Sequence, residues 1–395
     1  RAHEPGATRT MTDRRGLPAP TALSGARWNT CGTIDATRWW LTILGTWAAG
    51  RLIVLISILL SPRLATFVPK AVPLGMDLRW RAWDALWYER MLTLGWDGVS
   101  PEGYRFFPGY PLTAEPLAIL FGSLVALFMV NWLTALGGIA LAGELTKRTT
   151  NDDALARRVI VLTGIFPAAM ALVLPYSEGL ALLLIAAALI SLLGHRWRWV
   201  TALGLAASVV RPTGVLLVVP VGIELWRAWP GTTARSRTAM LAAIAAPVIG
   251  LIGVFTWVGV ASGDWGLPFS VQRQIRGGFL DPVRAVAQLP GEALGGNLSD
   301  GVNLIFALLL LAGAAGMWRV TLPASLRAFG IVSLVVALSA NNIDSIGRYG
   351  MVTTPLIIGL CAWLDRRWVY AGALAISTSG LVAMTLAAQW SLVVP

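Results

Sequence analysis

Apolar residues come in long continuous runs with only short polar breaks, a pattern too extended for strands. The runs fall near 39–60, 123–146, 157–175, 177–195, 197–210, 213–229, 238–261, 301–318, 325–341, 346–364 and 368–390. A helix needs about 20 apolar residues to span a bilayer, so the pattern predicts about eleven transmembrane helices. A segment near 111–121, opened by Pro111, is too short to cross and reads as re-entrant. The run at 197–210 is also short. It stops at Arg211-Pro212-Thr213-Gly214 and another run starts at once, which reads as a broken hairpin with an arginine at its tip. Irregular backbone at membrane depth is tolerated only against protein or a water-filled cavity. Two semi-polar stretches, 61–110 and 262–300, read as loops, and 1–38 as a polar, basic tail without the apolar core of a signal peptide.

Composition sharpens this picture. The 395 residues are 56% hydrophobic and 13% charged, against roughly 45–50% and about 25% in soluble domains. So little charge cannot cover a water-soluble protein of this size. Soluble, disordered and fibrous classes are excluded. The expected organisation is one all-α polytopic domain over 39–395 behind a mobile cytoplasmic tail.

The net charge is +11. In a soluble protein that would suggest nucleic acid; here it sets orientation, because Lys and Arg concentrate in cytoplasmic loops. With the N-terminus in the cytoplasm, nineteen of the 31 basic residues fall inside and eleven outside, Arg51 lying within the first span. The acids split eight inside and twelve outside. Both long loops, 61–110 and 262–300, then face outward. Arg51 needs a partner at its depth, either a structural ion pair or a lipid phosphate. Cys31 and Cys361 make no disulfide framework, and His3 and His195 are isolated. There is no Walker motif and no dinucleotide fingerprint, so neither metal nor cofactor is expected.

Chemistry concentrates in the outward segments. Arg79 to Arg90, read as one helix, places Trp80, Trp83, Asp84, Trp87 and Tyr88 on one face. An aromatic face of this kind suits an interfacial helix. It is also what a simple interfacial aromatic belt looks like, but a carboxylate on such a face costs solvation energy unless it has a partner or a task. Phe106-Phe107-Pro108-Gly109-Tyr110-Pro111 marks a rigid re-entry turn. In Pro175-Tyr176-Ser177-Glu178, the glutamate opens a helix, where its charge complements the helix dipole. Arg211 and Arg348, the latter in Asn341-Asn342-Ile343-Asp344-Ser345-Ile346-Gly347-Arg348-Tyr349, sit at outer span boundaries and together suggest an anion site.

In their order and topological side, Trp83-Asp84, Phe106 to Pro111, Pro175 to Glu178, Arg211 to Gly214 and, more weakly, Arg348-Tyr349 resemble the PIG-V family, the GPI mannosyltransferase 2 group and its bacterial relatives. Gly109 stands where the family carries a bulkier apolar residue, and Trp96 where a Tyr is usual. The resemblance implies a GT-C-type glycosyltransferase of the plasma membrane with an extracytoplasmic active site. It implies transfer of mannose, with inversion, from polyprenyl-phosphate-mannose to a sugar hydroxyl of a glycolipid or lipoglycan. On that reading Asp84 is the base, Arg211 and Arg348 bind the donor phosphate, and Glu178, Trp83, Trp87, Tyr88 and Tyr176 bind substrate. Embedded charges and broken helices also suit a transporter or lipid flippase, though no inverted repeat is visible. A non-catalytic subunit of a glycosyltransferase is a third reading.

Overall fold

The structure, a computed structural model, describes residues 36–69 and 71–394. The tail expected over 1–38, with His3 and Cys31, lies outside the described residues apart from 36–38. Among the described residues seventeen α-helices follow one another: α1 (Ala36–Ala65), α2 (Met76–Arg79), α3 (Asp84–Leu94), α4 (Gly109–Phe121), α5 (Ser123–Thr150), α6 (Asp153–Ile165), α7 (Glu178–Leu193), α8 (Trp197–Val210), α9 (Val218–Ala228), α10 (Ala234–Ser262), α11 (Leu267–Arg276), α12 (Pro282–Leu294), α13 (Leu298–Gly316), α14 (Ala324–Leu338), α15 (Ile346–Val352), α16 (Thr354–Cys361) and α17 (Arg367–Gln389). No strand occurs among the described residues, only an antiparallel bridge between Phe279 and Ala340.

Five helices, α1, α5, α10, α13 and α17, are long and apolar enough to cross a membrane by length and composition; α7, α8 and α14 are shorter apolar helices. The three remaining apolar runs are helical but broken, each at a proline. The 157–175 run is α6 followed by a 3₁₀ turn over Ala169–Leu172. The 213–229 run is a 3₁₀ turn over Pro212–Leu217 leading into α9. The 346–364 run divides into α15 and α16 at Thr353. Pro167, Pro212 and Pro355 explain the breaks, because proline lacks the N–H of the helical ladder and disfavours the α conformation in the residue before it. The protein is an all-α, multi-pass membrane protein.

The first loop differs from the expected single helix. α2 is one turn, and α3 begins only at Asp84. Trp83 interrupts them with φ of 59°, a region costly for any residue with a Cβ. Its indole Nε1 donates to the Ala388 carbonyl at 3.2 Å, which ties the loop to α17. Trp80 and Trp83 therefore precede the helix, while Trp87 and Tyr88 belong to it. The 262–300 stretch contains α11 and α12, with Phe269 and Val283 exposed. Its middle is tied to the segment after α14, where the Asn341 N–H donates to the Gly278 carbonyl at 3.1 Å.

Arg51 lies within α1 and is buried. Among the described residues it has no acidic partner. Its guanidinium donates to the carbonyls of Trp47 at 2.9 Å and Leu172 at 3.1 Å, and sits 4.0 Å over the Trp47 ring. Carbonyl dipoles and aromatic faces stand where an ion pair was one of the two expected partners, the other being a lipid phosphate.

Candidate functional site

Four charged side chains from four distant parts of the chain meet at one end of the bundle. Asp84 and Glu178 each occupy the first position of a helix, α3 and α7, where the positive end of the helix dipole favours a carboxylate. Arg211 follows α8 in extended conformation, φ −150° and ψ 145°. Arg348 projects from the short helix α15.

Arg348 is the hub. Its Nη1 lies 2.6 Å from Asp84 Oδ2 and 3.0 Å from Glu178 Oε1, and its Nη2 donates to Ser345 Oγ at 2.9 Å. Arg211 Nη1 lies 2.6 Å from the same Glu178 Oε1 and donates to Ser177 Oγ at 3.0 Å. The quartet is neutral overall, two carboxylates against two guanidiniums. Such neutrality is required where charge leaves water, since an unpaired buried ion is costly. Glu178 is fully buried, and its Oε2 has no hydrogen-bond partner among the described residues.

A tyrosine shell surrounds the quartet. Tyr88 donates to Ser177 Oγ at 3.0 Å, and Tyr176 donates to the Ala82 carbonyl at 3.1 Å. The Arg348 guanidinium lies 5.1 Å from the Tyr176 ring centre and that of Arg211 lies 5.3 Å from the Tyr349 ring centre. These are cation–π distances, which suit guanidiniums held away from water. Tyr88 packs edge-on against Tyr110 at 4.9 Å, so the re-entry turn supports the shell. Burial pushes the Tyr88 hydroxyl well above its ordinary range, leaving it a neutral donor.

Burial alone would raise the Asp84 carboxyl. The charge and hydrogen bond of Arg348, with Arg105 and Arg211 behind it, overcome that and hold Asp84 below the ordinary aspartate value. It is therefore a carboxylate at neutral pH. Its Oδ2 is engaged; no hydrogen bond to Oδ1 occurs among the described residues. The arrangement offers an ionised carboxylate beside two guanidiniums, one able to accept a proton and the others able to hold an oxyanion.

The structure thus brings Asp84, Glu178, Arg211, Arg348, Tyr88 and Tyr176 together. Trp83 points to α17. Trp87 stacks on Phe106 at 6.0 Å, one shell further out. Ser177 emerges as a partner of Arg211 and Ser345 as a partner of Arg348, which residue type alone did not single out. Ser345, with φ of 71°, parallels Trp83: each of the two segments that meet in the Asp84–Arg348 pair bends through positive φ shortly before it. Gly109 is explained as well. A Cβ there would stand 2.8 Å from the Val209 carbonyl oxygen, so α4 approaches the end of α8 too closely for the bulkier residue. Among the described residues no three His, Cys, Asp or Glu side chains converge as a metal-ligand set would.

An apolar groove of about 430 Å³ lies between α4, α8 and α10. Trp96, Pro108, Leu112, Val209, Gly253 and Trp257 line it, and Val209 lies two residues before Arg211.

No family model matches the sequence, and no curated protein matches it. Among solved structures the chain is similar to ArnT from Cupriavidus metallidurans bound to undecaprenyl phosphate. The two are 14% identical with a TM-score of 0.52, over 90% of this chain and 78% of that one. At this identity the likeness is one of fold, an all-α polytopic membrane architecture.

Proposed function

We propose that the protein transfers mannose from polyprenyl-phosphate-mannose to a sugar hydroxyl of a glycolipid or lipoglycan, with inversion, on the extracytoplasmic face of the plasma membrane. The observation that carries this reading is the convergence of Asp84 with Arg211 and Arg348, on a fold whose solved neighbour holds undecaprenyl phosphate. The specificity for mannose comes from the motif resemblance to the PIG-V family.

The geometry supports the following chemistry. The acceptor oxygen attacks the anomeric carbon of the donor sugar, and the bond from that carbon to the phosphate oxygen breaks. The hydroxyl proton passes to Asp84. The lipid phosphate leaves with the electron pair as a dianion, and Arg211 and Arg348 hold it through charge-assisted hydrogen bonds. Attack from the face opposite the leaving phosphate gives inversion. Glu178 keeps the two guanidiniums side by side. The Tyr88 and Tyr176 hydroxyls and rings form the polar and flat walls that sugars favour, with Trp83 and Trp87 at the approach. The apolar cavity beside Val209 takes the first part of the prenyl chain; its volume lies within the usual range of ligand sites.

The test is a transfer assay with purified protein, polyprenyl-phosphate-[³H]mannose and a membrane lipid extract as acceptor, wild type beside Asp84→Asn. Labelled glycolipid from the wild type and none from the variant supports the reading. Equal product from both removes Asp84 from the role of base. Lipid movement across vesicles without covalent transfer would select a flippase instead.

A further inference from the structure

The backbone that leads into Glu178 is not helical. α6 ends at Ile165, a single 3₁₀ turn covers Ala169–Leu172, and α7 starts only at Glu178. The carbonyls freed by this break need partners, because a buried backbone group left unpaired is costly. Three side chains from neighbouring helices supply them. Arg51 donates to the Leu172 carbonyl at 3.1 Å and Trp132 Nε1 to the Val173 carbonyl at 2.7 Å.

Asn131 supplies the rest. It is wholly buried on α5. Its Nδ2 donates to the Ala171 carbonyl at 3.0 Å and to the Leu174 carbonyl. Its Oδ1 accepts from the Gly179 N–H at 3.1 Å. One carboxamide therefore uses both donors on the unwound strand and its acceptor on the first turn of α7. The approach is so close that a Cβ on residue 179 would stand 2.2 Å from Asn131 Oδ1, which accounts for the glycine after Glu178. Glu178 itself is anchored only through Oε1, by the two arginines. Its place in the site depends on where α7 begins, and Asn131 is the contact that sets that point.

We propose that Asn131 is a positioning residue for the site: by clamping the unwound strand to the first turn of α7, it places the Glu178 carboxylate at which Arg211 and Arg348 meet. The proposal rests on reading the quartet as the site of sugar transfer. It predicts that Asn131 acts through Glu178, which a brace of merely structural worth would not do.

The test is a double-mutant cycle between Asn131→Leu and Glu178→Gln, read as kcat/KM for transfer from polyprenyl-phosphate-mannose. Asn131→Leu alone is expected to lower kcat/KM by roughly 30- to 100-fold, yet to add less than about 3-fold to the loss of Glu178→Gln. Losses that multiply in the double variant overturn the proposal. If Asn131→Leu does not fold, Gly179→Ala presses on the same contact from the α7 side, and the same cycle is run with it. A cryo-EM structure of the variant judges the claim without any assay. Separation of Glu178 Oε1 from Arg211 beyond about 4 Å, the limit of an ion pair, is expected, and an unchanged contact overturns it. Absence of transfer by the wild type would refute the proposed function, while the variant's structure would still decide the role of Asn131.

Discussion

Arg348 reaches across 264 residues of sequence to place Nη1 2.6 Å from Oδ2 of Asp84. The two groups assigned opposite tasks in the proposed reaction, proton acceptor and phosphate holder, form one ion pair. On the proposed mechanism a donor phosphate at Arg348 would compete with Asp84 for the same guanidinium, so donor binding would loosen the base from its partner.

Asp84→Asn keeps the side-chain shape and removes the proton acceptor. Turnover in the transfer assay is expected to fall by about 10²–10⁴-fold, the usual contribution of a positioned general base, with the protein still folded by circular dichroism.

The pH dependence has a definite sign. The Asp84 value in the folded protein is depressed by Arg348 against the effect of burial. Its stabilising contribution is thus full above the unfolded aspartate value, about 3.9, and is lost as pH falls through the lower folded value. Thermal unfolding across pH 2.5–6 is expected to show a steeper acid loss in wild type than in Asp84→Asn (the pH range being roughly that of carboxylate titration). If donor binding weakens the Asp84–Arg348 pair, as the proposed mechanism requires, the acid limb of kcat lies at higher pH than that of kcat/KM.

Glu178→Gln leaves Arg211 and Arg348 facing each other with one carboxylate instead of two. Removing one partner of a buried ion pair costs about 3–5 kcal/mol, so the melting temperature should drop clearly. Undecaprenyl phosphate, supplying the missing negative charge, is expected to raise it more in the variant than in wild type, by ligand linkage. Equal shifts would count against a phosphate site at the arginines.

Gly109→Leu adds bulk at the close approach of α4 to the end of α8 and collides with the Val209 carbonyl. Overpacking of this kind costs about 1–3 kcal/mol. Because Arg211 follows two residues later, the variant should also lose kcat/KM by more than its change in melting temperature accounts for.

Gly253 faces open space on the cavity wall. Gly253→Leu fills part of that volume and is expected to raise KM for a long-chain donor about 10-fold, while a short-chain donor analogue is unaffected. One tenfold step corresponds to about 1.4 kcal/mol, within the worth of a few buried methylenes. An equal effect on both donors would place the prenyl chain elsewhere.

The apolar runs determined the helices, because backbone groups in hydrocarbon are satisfied only within a helix and about 20 apolar residues are a local property of the chain. Every run has its helical counterpart, and the break at Arg211-Pro212 was legible because proline acts on its immediate neighbours. The acidic and basic members of the quartet stood out for the same local reason: a charge in so apolar a chain is conspicuous. What only the tertiary structure decided is who meets whom. The partners of Arg51 are carbonyls, and one of them, that of Leu172, is freed by a helix break 121 residues away. The helix expected through Trp83 stops there because α17 offers Trp83 a carbonyl. Asn131 sits unremarked in an apolar helix, and its value appears only when the unwound strand packs against it. Pairings of this kind depend on the distance between elements in space, and no local pattern of residues carries that information.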